Sequence, residues 1–260
     1  GCTGINLAYD HGATHAESMD MTEKLVQACK NHRIKRLIHC STASVYGRSL
    51  LSVLNEEDEC KPRTQYGITK LAIERFIHDS ARGNFECINL RPTSVFGPGG
   101  PALMQMISSL ENRATALNYL RACLSNRRKL NLVSVDTVVA AILFLLDKSR
   151  DVAGQTFIVS EDEDPKNNFE YVERYLFQKI FGKKYGLRPI RIPLAVLATV
   201  LQIIGRDNIN PLRTFDSGKL RKLGFVAPRS LESSLSDLAR WHTGKSDQGG
   251  PRNSAASSGR

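Results

Sequence analysis

The sequence predicts an α/β fold built on a parallel β-sheet, and two patterns support this. Short apolar runs of strand length alternate with longer segments whose apolar residues recur at helical spacing, an order typical of right-handed strand–helix–strand units. The chain has 260 residues, of which 41% are hydrophobic. That content is enough to bury one sizeable core.

The elements follow in chain order. Strands are predicted at residues 4–8, 36–40, 86–90 and 155–159. Helices are predicted at residues 16–31, 66–82, within 132–147, and at 169–181, 193–204 and 231–241. Residues 47–64 and 91–100 are expected to be loops, because they are polar or rich in Pro and Gly. The tail 244–260 is rich in Gly, Ser and charge and is expected to be disordered, because it has little apolar surface to bury.

Composition excludes several classes of protein. The net charge is +10, but no basic segment is interleaved with aromatic residues, so nucleic-acid binding is not expected. The six cysteines form no CxxC pair, which argues against a zinc site and favours reduced cysteines in the cytoplasm. The longest apolar stretch, residues 192–204, is shorter than the ~20 residues that span a bilayer. No secretory signal is visible at the first residues.

Tyr66 and Lys70 are the first candidates for catalysis. A spacing of four near a helix start places both side chains on one face. A tyrosine is a poor base at neutral pH, and lowering its pKa by three units takes ~4 kcal/mol. An ammonium about 4 Å away supplies roughly that at an effective dielectric of ~20. The same spacing recurs at Tyr175 and Lys179, where a stripe of buried apolar residues favours an ordinary core tyrosine beside a surface lysine.

Two polar segments place Tyr66 in a ligand-binding context. The strand ending at Cys40 runs into STASVYG (41–47), and the strand 86–90 runs into RPTSVFGPGG (91–100). Ligands of open α/β sheets bind at the carboxyl ends of the strands, so these segments and the start of helix 66–82 should converge on one rim.

With these motifs the chain resembles the extended short-chain dehydrogenase/reductases, also called the NAD-dependent epimerase/dehydratase family. The matching stretches, in family order, are GCTGINLA, KRLIHCSTASVYG, YGITKLAIERF, NLRPTSVFGPGG, NLVSVDTVVAAI and FDSGKLRKLGF. They extend over about residues 1–243. The resemblance implies a Rossmann-like, doubly wound parallel sheet with a smaller C-terminal substrate domain, and an enzyme that uses NAD or NADP.

The resemblance also implies roles for individual residues. Tyr66 would be the acid/base, Lys70 would assist it and hold the nicotinamide ribose, and Thr42 would bind the substrate oxygen. The cofactor would be lined by Leu7, Ala8 and Pro92 in addition to Tyr66 and Lys70. Ser94 would face the substrate. A homodimer through the helices at 16–31 and 66–82 is a further implication.

The chain departs from the family pattern in several places. It has no GxGxxG turn, so the pyrophosphate anchor is missing and the match starts at what resembles the family's fourth strand. We therefore expect residues 1–120 to be a partial dinucleotide-binding domain. Residues 121–243 should complete the sheet and form the substrate domain. Such a chain should bind NAD(P) poorly by itself, and its first strand should expose unpaired backbone.

Three functions remain open at this stage. The first is an epimerase acting on a nucleotide-linked sugar, which the STASVYG segment favours. The second is a ketone, hydroxysteroid or flavonol reductase, favoured by the GCTG opening and by Ser94, where sugar-nucleotide members often carry Asn. Ala43 and Ser44 follow Thr42 in place of the acidic pair of the dehydratases, which disfavours 4,6-dehydration. The third is a catalytically inactive binding or regulatory module.

Overall fold

The computed structural model describes residues 2–8, 12–111, 115–147, 152–183, 190, 192–203 and 210–249. In chain order its elements are β1 (Thr3–Asn6), α1 (His15–Asn31), β2 (Arg36–Cys40), a short 3₁₀ helix (Ala43–Tyr46), β3 (Val53–Leu54), α2 (Gln65–Ala81), β4 (Glu86–Pro92), β5 (Ser94–Phe96), α3 (Met104–Glu111), α4 (Thr115–Ser125), β6 (Leu132–Ser134), α5 (Val135–Leu146), β7 (Thr156–Val159), α6 (Phe169–Phe181), α7 (Leu194–Ile203), β8 (Thr214–Phe215), α8 (Gly218–Lys222) and α9 (Leu231–Gly249).

The central sheet has four parallel strands in the order β1-β2-β4-β7. In its register Leu37 lies beside Gly4 on one side and Cys87 on the other. The sheet and its flanking helices confirm the predicted α/β fold. Each strand and helix predicted from the sequence overlaps an observed element, with ends that mostly differ by a few residues.

Alternating side chains divide the sheet into two faces. Leu37 and Cys87 pack with buried residues of α1 and α2 in one apolar cluster. Ile38 and Ile88 point the other way and pack against α5 in a second cluster. Successive side chains of a strand point to opposite faces, so adjacent residues of β2 serve two different helical layers. The sheet is therefore doubly wound.

The second half of the chain is more helical than its sequence predicted. Buried residues of α3, α4, α6 and α9 form a further apolar cluster. Residues 91–100 were predicted to be a loop, but part of this segment is strand. Strand β4 continues to Pro92, and β5 pairs in parallel with β6. The prediction of disorder from Gly244 onward is wrong for residues 244–249, which continue α9. Residues 250–260 lie outside the described residues.

Strand β1 forms an edge of the sheet, since within the described residues it pairs with β2 alone. Ile5 lies beside Ile38 on the α5 face and is 46% exposed, and Leu7 is 61% exposed. Two α5 residues, Val139 and Leu143, are also largely exposed. None of the described helices is both long and apolar enough to cross a membrane.

The segment after Thr42 is closed by a tight backbone approach at Gly47. This residue has φ +57°, and a Cβ built on it would lie 1.9 Å from the carbonyl oxygen of Lys61. Gly47 forms an isolated parallel bridge with Lys61. Arg213 donates a hydrogen bond of 3.0 Å to the Gly47 carbonyl from the other side. Only a residue without a side chain fits between these groups.

We predict that Gly47→Ala lowers the free energy of unfolding by more than about 3 kcal/mol, because backbone atoms must move to admit the methyl group. Gly83→Ala is the matched control, since Gly83 also has positive φ (+73°) but a Cβ added there would meet nothing within 4 Å. Its cost should be only about 1 kcal/mol, that of the left-handed backbone conformation. Urea denaturation measures both, and equal losses would contradict the role of close approach.

Candidate active site

The carboxyl ends of the central strands bring the predicted site segments to one edge. Just beyond β2, the Ser41 amide donates to the Leu90 carbonyl of β4 at 2.7 Å. Just beyond β4, the Thr93 amide donates to the Val159 carbonyl of β7 at 3.1 Å. The segments 41–47 and 91–97 therefore leave the sheet side by side, as expected for the ligand edge of a parallel sheet.

Thr42 caps the short 3₁₀ helix that follows β2. Its Oγ1 accepts a hydrogen bond from the Ser44 amide at 3.1 Å and donates one to the Ser44 hydroxyl at 3.2 Å. Thr42 is buried whereas Ser44 is exposed. The cap fixes the position of the Thr42 hydroxyl at the sheet edge. Its hydrogen bond goes to the exposed Ser44 hydroxyl, a partner that is easily replaced.

Helix α2 begins at the same edge and carries Tyr66 in its first turn. Thr64 caps this helix by accepting a hydrogen bond from the Gly67 amide at 3.2 Å. A Cβ on Gly67 would lie 2.9 Å from the Ser44 carbonyl oxygen. The first turn of α2 is thus pressed against the segment that contains Thr42. The structure brings Thr42 and Tyr66 to one region of the molecule.

Lys70 lies one turn further along α2 and is almost completely buried, at 3% exposure. Its ammonium donates a hydrogen bond of 3.3 Å to the carbonyl of Cys40, the last residue of β2. Burial lowers the pKa of Lys70, while Cys40 and Glu74 act in the opposite direction. A buried ammonium produces a strong local electric field. Here the ammonium is anchored at the end of β2, the strand that leads to Thr42.

His39 lies on β2 next to Cys40 and is close to Lys70. The ring is buried, and its Nδ1 lies 3.1 Å from the Asn6 side-chain amide. Burial, with a smaller contribution from Lys70, lowers the pKa of His39 to about 3. The imidazole is therefore neutral at physiological pH, and Lys70 is not opposed by a second cation from this ring.

The remaining predicted site residues lie around the same edge. Leu7 and Ala8 follow β1 and are exposed, and Pro92 ends β4 and is buried. Ser94 is exposed at the start of β5, and its amide donates to the Asn131 carbonyl at 2.8 Å.

The second Tyr/Lys pair has a structural environment. The Tyr175 hydroxyl donates to the backbone carbonyl of Glu232 at 3.0 Å, which ties α6 to α9. The Lys179 ammonium lies 5.4 Å from the centre of the Tyr175 ring. This agrees with a tyrosine at the edge of the core beside a surface lysine.

Sequence reasoning missed the network that holds the site together. Arg91 on β4 makes two hydrogen bonds to the Glu74 carboxylate, at 3.1 and 2.7 Å, and a third to the Tyr46 hydroxyl at 2.9 Å. All three residues are buried. Although burial acts to lower it, the pKa of Arg91 is raised above its ordinary value by Glu74. Each residue lies in a quoted motif, but no linear signal pairs them.

The family comparison agrees with this geometry. The model of the NAD dependent epimerase/dehydratase family matches residues 6–160, more than half of the chain. The chain belongs to this family. The matched residues contain Thr42, Tyr66 and Lys70 as well as the Arg91 network.

Individual relatives are more distant. UDP-glucose 4-epimerase of Vibrio cholerae is 29% identical over 236 residues, covering 84% of this chain and 66% of that protein. Human short-chain dehydrogenase/reductase family 42E member 1 is 26% identical over 246 residues, covering 84% of this chain and 59% of that protein. The chain thus spans about half to two thirds of the length of the curated relatives it matches.

Solved structures show the same fold. The UDP-glucuronic acid 4-epimerase of Bacillus cereus in complex with NAD superposes with a TM-score of 0.65 at 20% identity, covering 93% of this chain and 75% of that one. RMD from Pseudomonas aeruginosa complexed with NADPH has a TM-score of 0.68 at 19% identity, covering 93% of this chain and 81% of that one.

Over the described residues, no group of three or more His, Cys, Asp or Glu could hold a metal ion.

We predict that Glu74→Gln lowers the free energy of unfolding by about 3–5 kcal/mol, because it leaves the Arg91 charge buried without its counter-charge. The double substitution Glu74→Leu with Arg91→Met should recover much of this loss, since it removes both charges. Asp79→Asn is the control on the same helix. Its pair with Arg82 is exposed at both ends, and breaking such a pair costs less than about 1 kcal/mol. Denaturant titration that ranks Asp79→Asn equal to Glu74→Gln would contradict the prediction.

Proposed function

We propose that this chain carries the acid–base centre of an NAD(P)-dependent enzyme that oxidises or reduces a secondary alcohol or ketone, with a nucleotide-linked sugar as the favoured substrate. Tyr66 is the acid/base, Lys70 supports it, and Thr42 binds the reacting oxygen. The observation that carries the proposal is the buried Lys70 ammonium. It is fixed to the Cys40 carbonyl, one helical turn from Tyr66, at the strand end that leads to Thr42.

The proton chemistry follows from these positions. Tyr66 takes the proton of a substrate hydroxyl in the oxidation direction and returns it to the carbonyl oxygen in the reduction direction. The Lys70 ammonium stabilises the tyrosinate that forms between the two steps, and low-dielectric surroundings strengthen this effect. Thr42 donates a hydrogen bond to the substrate oxygen in place of the one that it makes to the exposed Ser44 hydroxyl.

The edge fits the nicotinamide half of a dinucleotide. Ser41 Oγ is buried and has no hydrogen-bond partner among the described residues, so a donor is available beside Cys40. Lys70 would hold the ribose, and Leu7, Ala8 and Pro92 would line the ring. When bound, the dinucleotide supplies or accepts the hydride. The sequence has no GxGxxG turn to anchor the pyrophosphate.

Two substrate classes have support. The Vibrio cholerae relative is a UDP-glucose 4-epimerase, which favours a nucleotide-linked sugar. The relatives named short-chain dehydrogenase/reductase family 42E member 1 cover the chain to the same extent, which favours a simple reductase. Cofactor stoichiometry separates them, because an epimerase regenerates its dinucleotide whereas a reductase consumes one NAD(P)H per product.

We predict that Tyr66→Phe lowers kcat at least about 100-fold and leaves cofactor affinity nearly unchanged, because the substitution removes only the proton-handling oxygen. Turnover is measured with UDP-glucose and with a ketone plus NADPH. The protein used carries a glycine-rich turn of the family, added before the first residue, so that the pyrophosphate of the cofactor has an anchor. Tyr175→Phe is the control, and its kcat should equal that of the unsubstituted protein. A Tyr66→Phe enzyme that keeps more than about a tenth of its kcat, against the ~10²-fold minimum for acid–base catalysis, overturns the assignment.

Lys70→Met should weaken cofactor binding and move the pH–rate profile to higher pH. The tyrosinate loses its neighbouring cation, so the active protonation state forms only at higher pH. The full pH profile is recorded beside that of Lys179→Met, which changes the lysine of the other Tyr/Lys pair. An unshifted profile for a folded Lys70→Met protein would remove Lys70 from the mechanism.

A further inference from the structure

A cavity that is widely open to solvent lies on the side of α2, and its lining contains none of the catalytic candidates. It has a volume of about 530 Å³ and is lined by Arg48, Lys61, Arg63 and Arg75, with Cys60, Pro62 and Leu71 completing its walls. The four cations come from three places: the segment after the 3₁₀ helix, the segment before α2, and the second turn after Lys70. We call this the basic cavity.

Within the described part of the chain, three guanidinium groups of the basic cavity have no carboxylate partner. Lys61 pairs with Glu59 at 2.7 Å. Across the residues whose placement is described, Arg48, Arg63 and Arg75 form no ion pair. By contrast, Arg82, which follows α2, pairs with Asp79, and Arg91 on β4 pairs with Glu74. Like charges brought together without counter-ions repel one another, so the arrangement favours an anion that joins them.

The walls of the basic cavity are held in place by the backbone. Gly47 bridges to Lys61, and Arg213 binds the carbonyls of Gly47 and Ser49, so the backbone on both sides of Arg48 is fixed. A Cβ added to Gly67 would lie 2.9 Å from the Cβ of Pro62. The absence of a side chain at Gly67 therefore lets the segment before α2 pack closely onto the helix. The backbone that carries these cations therefore need not rearrange when an anion binds.

The chemistry of the lining identifies the ligand class. Guanidinium groups make paired hydrogen bonds to phosphate oxygens and stay charged at all physiological pH values. No aromatic side chain is among the described lining residues, so a base has no stacking surface, which argues against single-stranded nucleic acid. Three arginines and a lysine exceed what one phosphate group needs.

We propose that the basic cavity binds a small anion with two or more phosphate groups, held through those phosphates by Arg48, Arg63 and Arg75. This site is separate from the catalytic centre and does not depend on the proposed function. It shares α2 and the 41–49 segment with that centre, so an anion bound there contacts the same two elements that position Tyr66 and Thr42.

Isothermal titration of the 260-residue chain with inorganic pyrophosphate and tripolyphosphate tests the proposal, at fixed ionic strength. We expect binding of both anions, tighter for tripolyphosphate, and ATP should bind no more tightly than tripolyphosphate. Arg48→Gln, Arg63→Gln and Arg75→Gln should each weaken binding by about tenfold, the size of one charged hydrogen bond. Arg82→Gln, just beyond the end of α2, is the charge-matched control and should bind within about twofold of the parent chain.

Two results would overturn the proposal: no detectable binding of either anion by a folded parent chain, or undiminished binding by the triple variant Arg48→Gln/Arg63→Gln/Arg75→Gln. Circular dichroism melting of each variant confirms folding. Tyr66→Phe should bind pyrophosphate like the parent chain, which separates this site from the catalytic one. Loss of pyrophosphate binding in Tyr66→Phe but not in the arginine variants would place the anion at the catalytic edge and refute the basic cavity.

Discussion

The buried ion pair between Arg91 and Glu74 is the constraint on which the site depends. Arg91 belongs to β4, Glu74 to α2, and the third partner, Tyr46, to the segment after β2. Burying two charges is costly, and apolar residues of the same size would often be as stable. What the pair adds is geometric. The planar guanidinium makes directional hydrogen bonds, so it restricts how the helix, the strand and the segment meet.

The catalytic candidates follow from that arrangement. Once α2 is fixed against β4, Lys70 lies one turn before Glu74 and reaches the Cys40 carbonyl at the end of β2. Tyr46 is the last residue of the 3₁₀ helix, and Thr42 caps the other end. Fixing Tyr46 therefore also fixes the position of the Thr42 hydroxyl. Gly67 then allows the closest approach of helix and segment. The proposed acid–base pair is thus held in place by the packing of neighbouring residues, which is the usual construction of precise sites.

The same segment serves two surfaces of the molecule. On its inner side, residues 41–46 follow the end of β2 and carry Thr42 at the sheet edge. On its outer side, Gly47 and Arg48 meet the segment 61–63, and Arg213 secures their backbone. The inner and outer surfaces therefore share one short stretch of backbone.

The sequence by itself determined much of the local structure and which residues are the candidates for catalysis. The strands 36–40 and 86–90 and the helix bearing Tyr66 and Lys70 were predictable, because their apolar periodicity depends only on neighbours within a few residues. The shared face of Tyr66 and Lys70 follows from helix geometry alone. The short strands β5 and β6 were not predictable, since three residues carry no periodic signal. Nor was the extension of α9 past Gly244, where composition predicted disorder. Only the tertiary structure decided that Arg91 meets Glu74 and Tyr46, residues 17 and 45 positions away. Such contacts are set by the packing of a helix on a sheet, and no interaction between near neighbours in the chain specifies them.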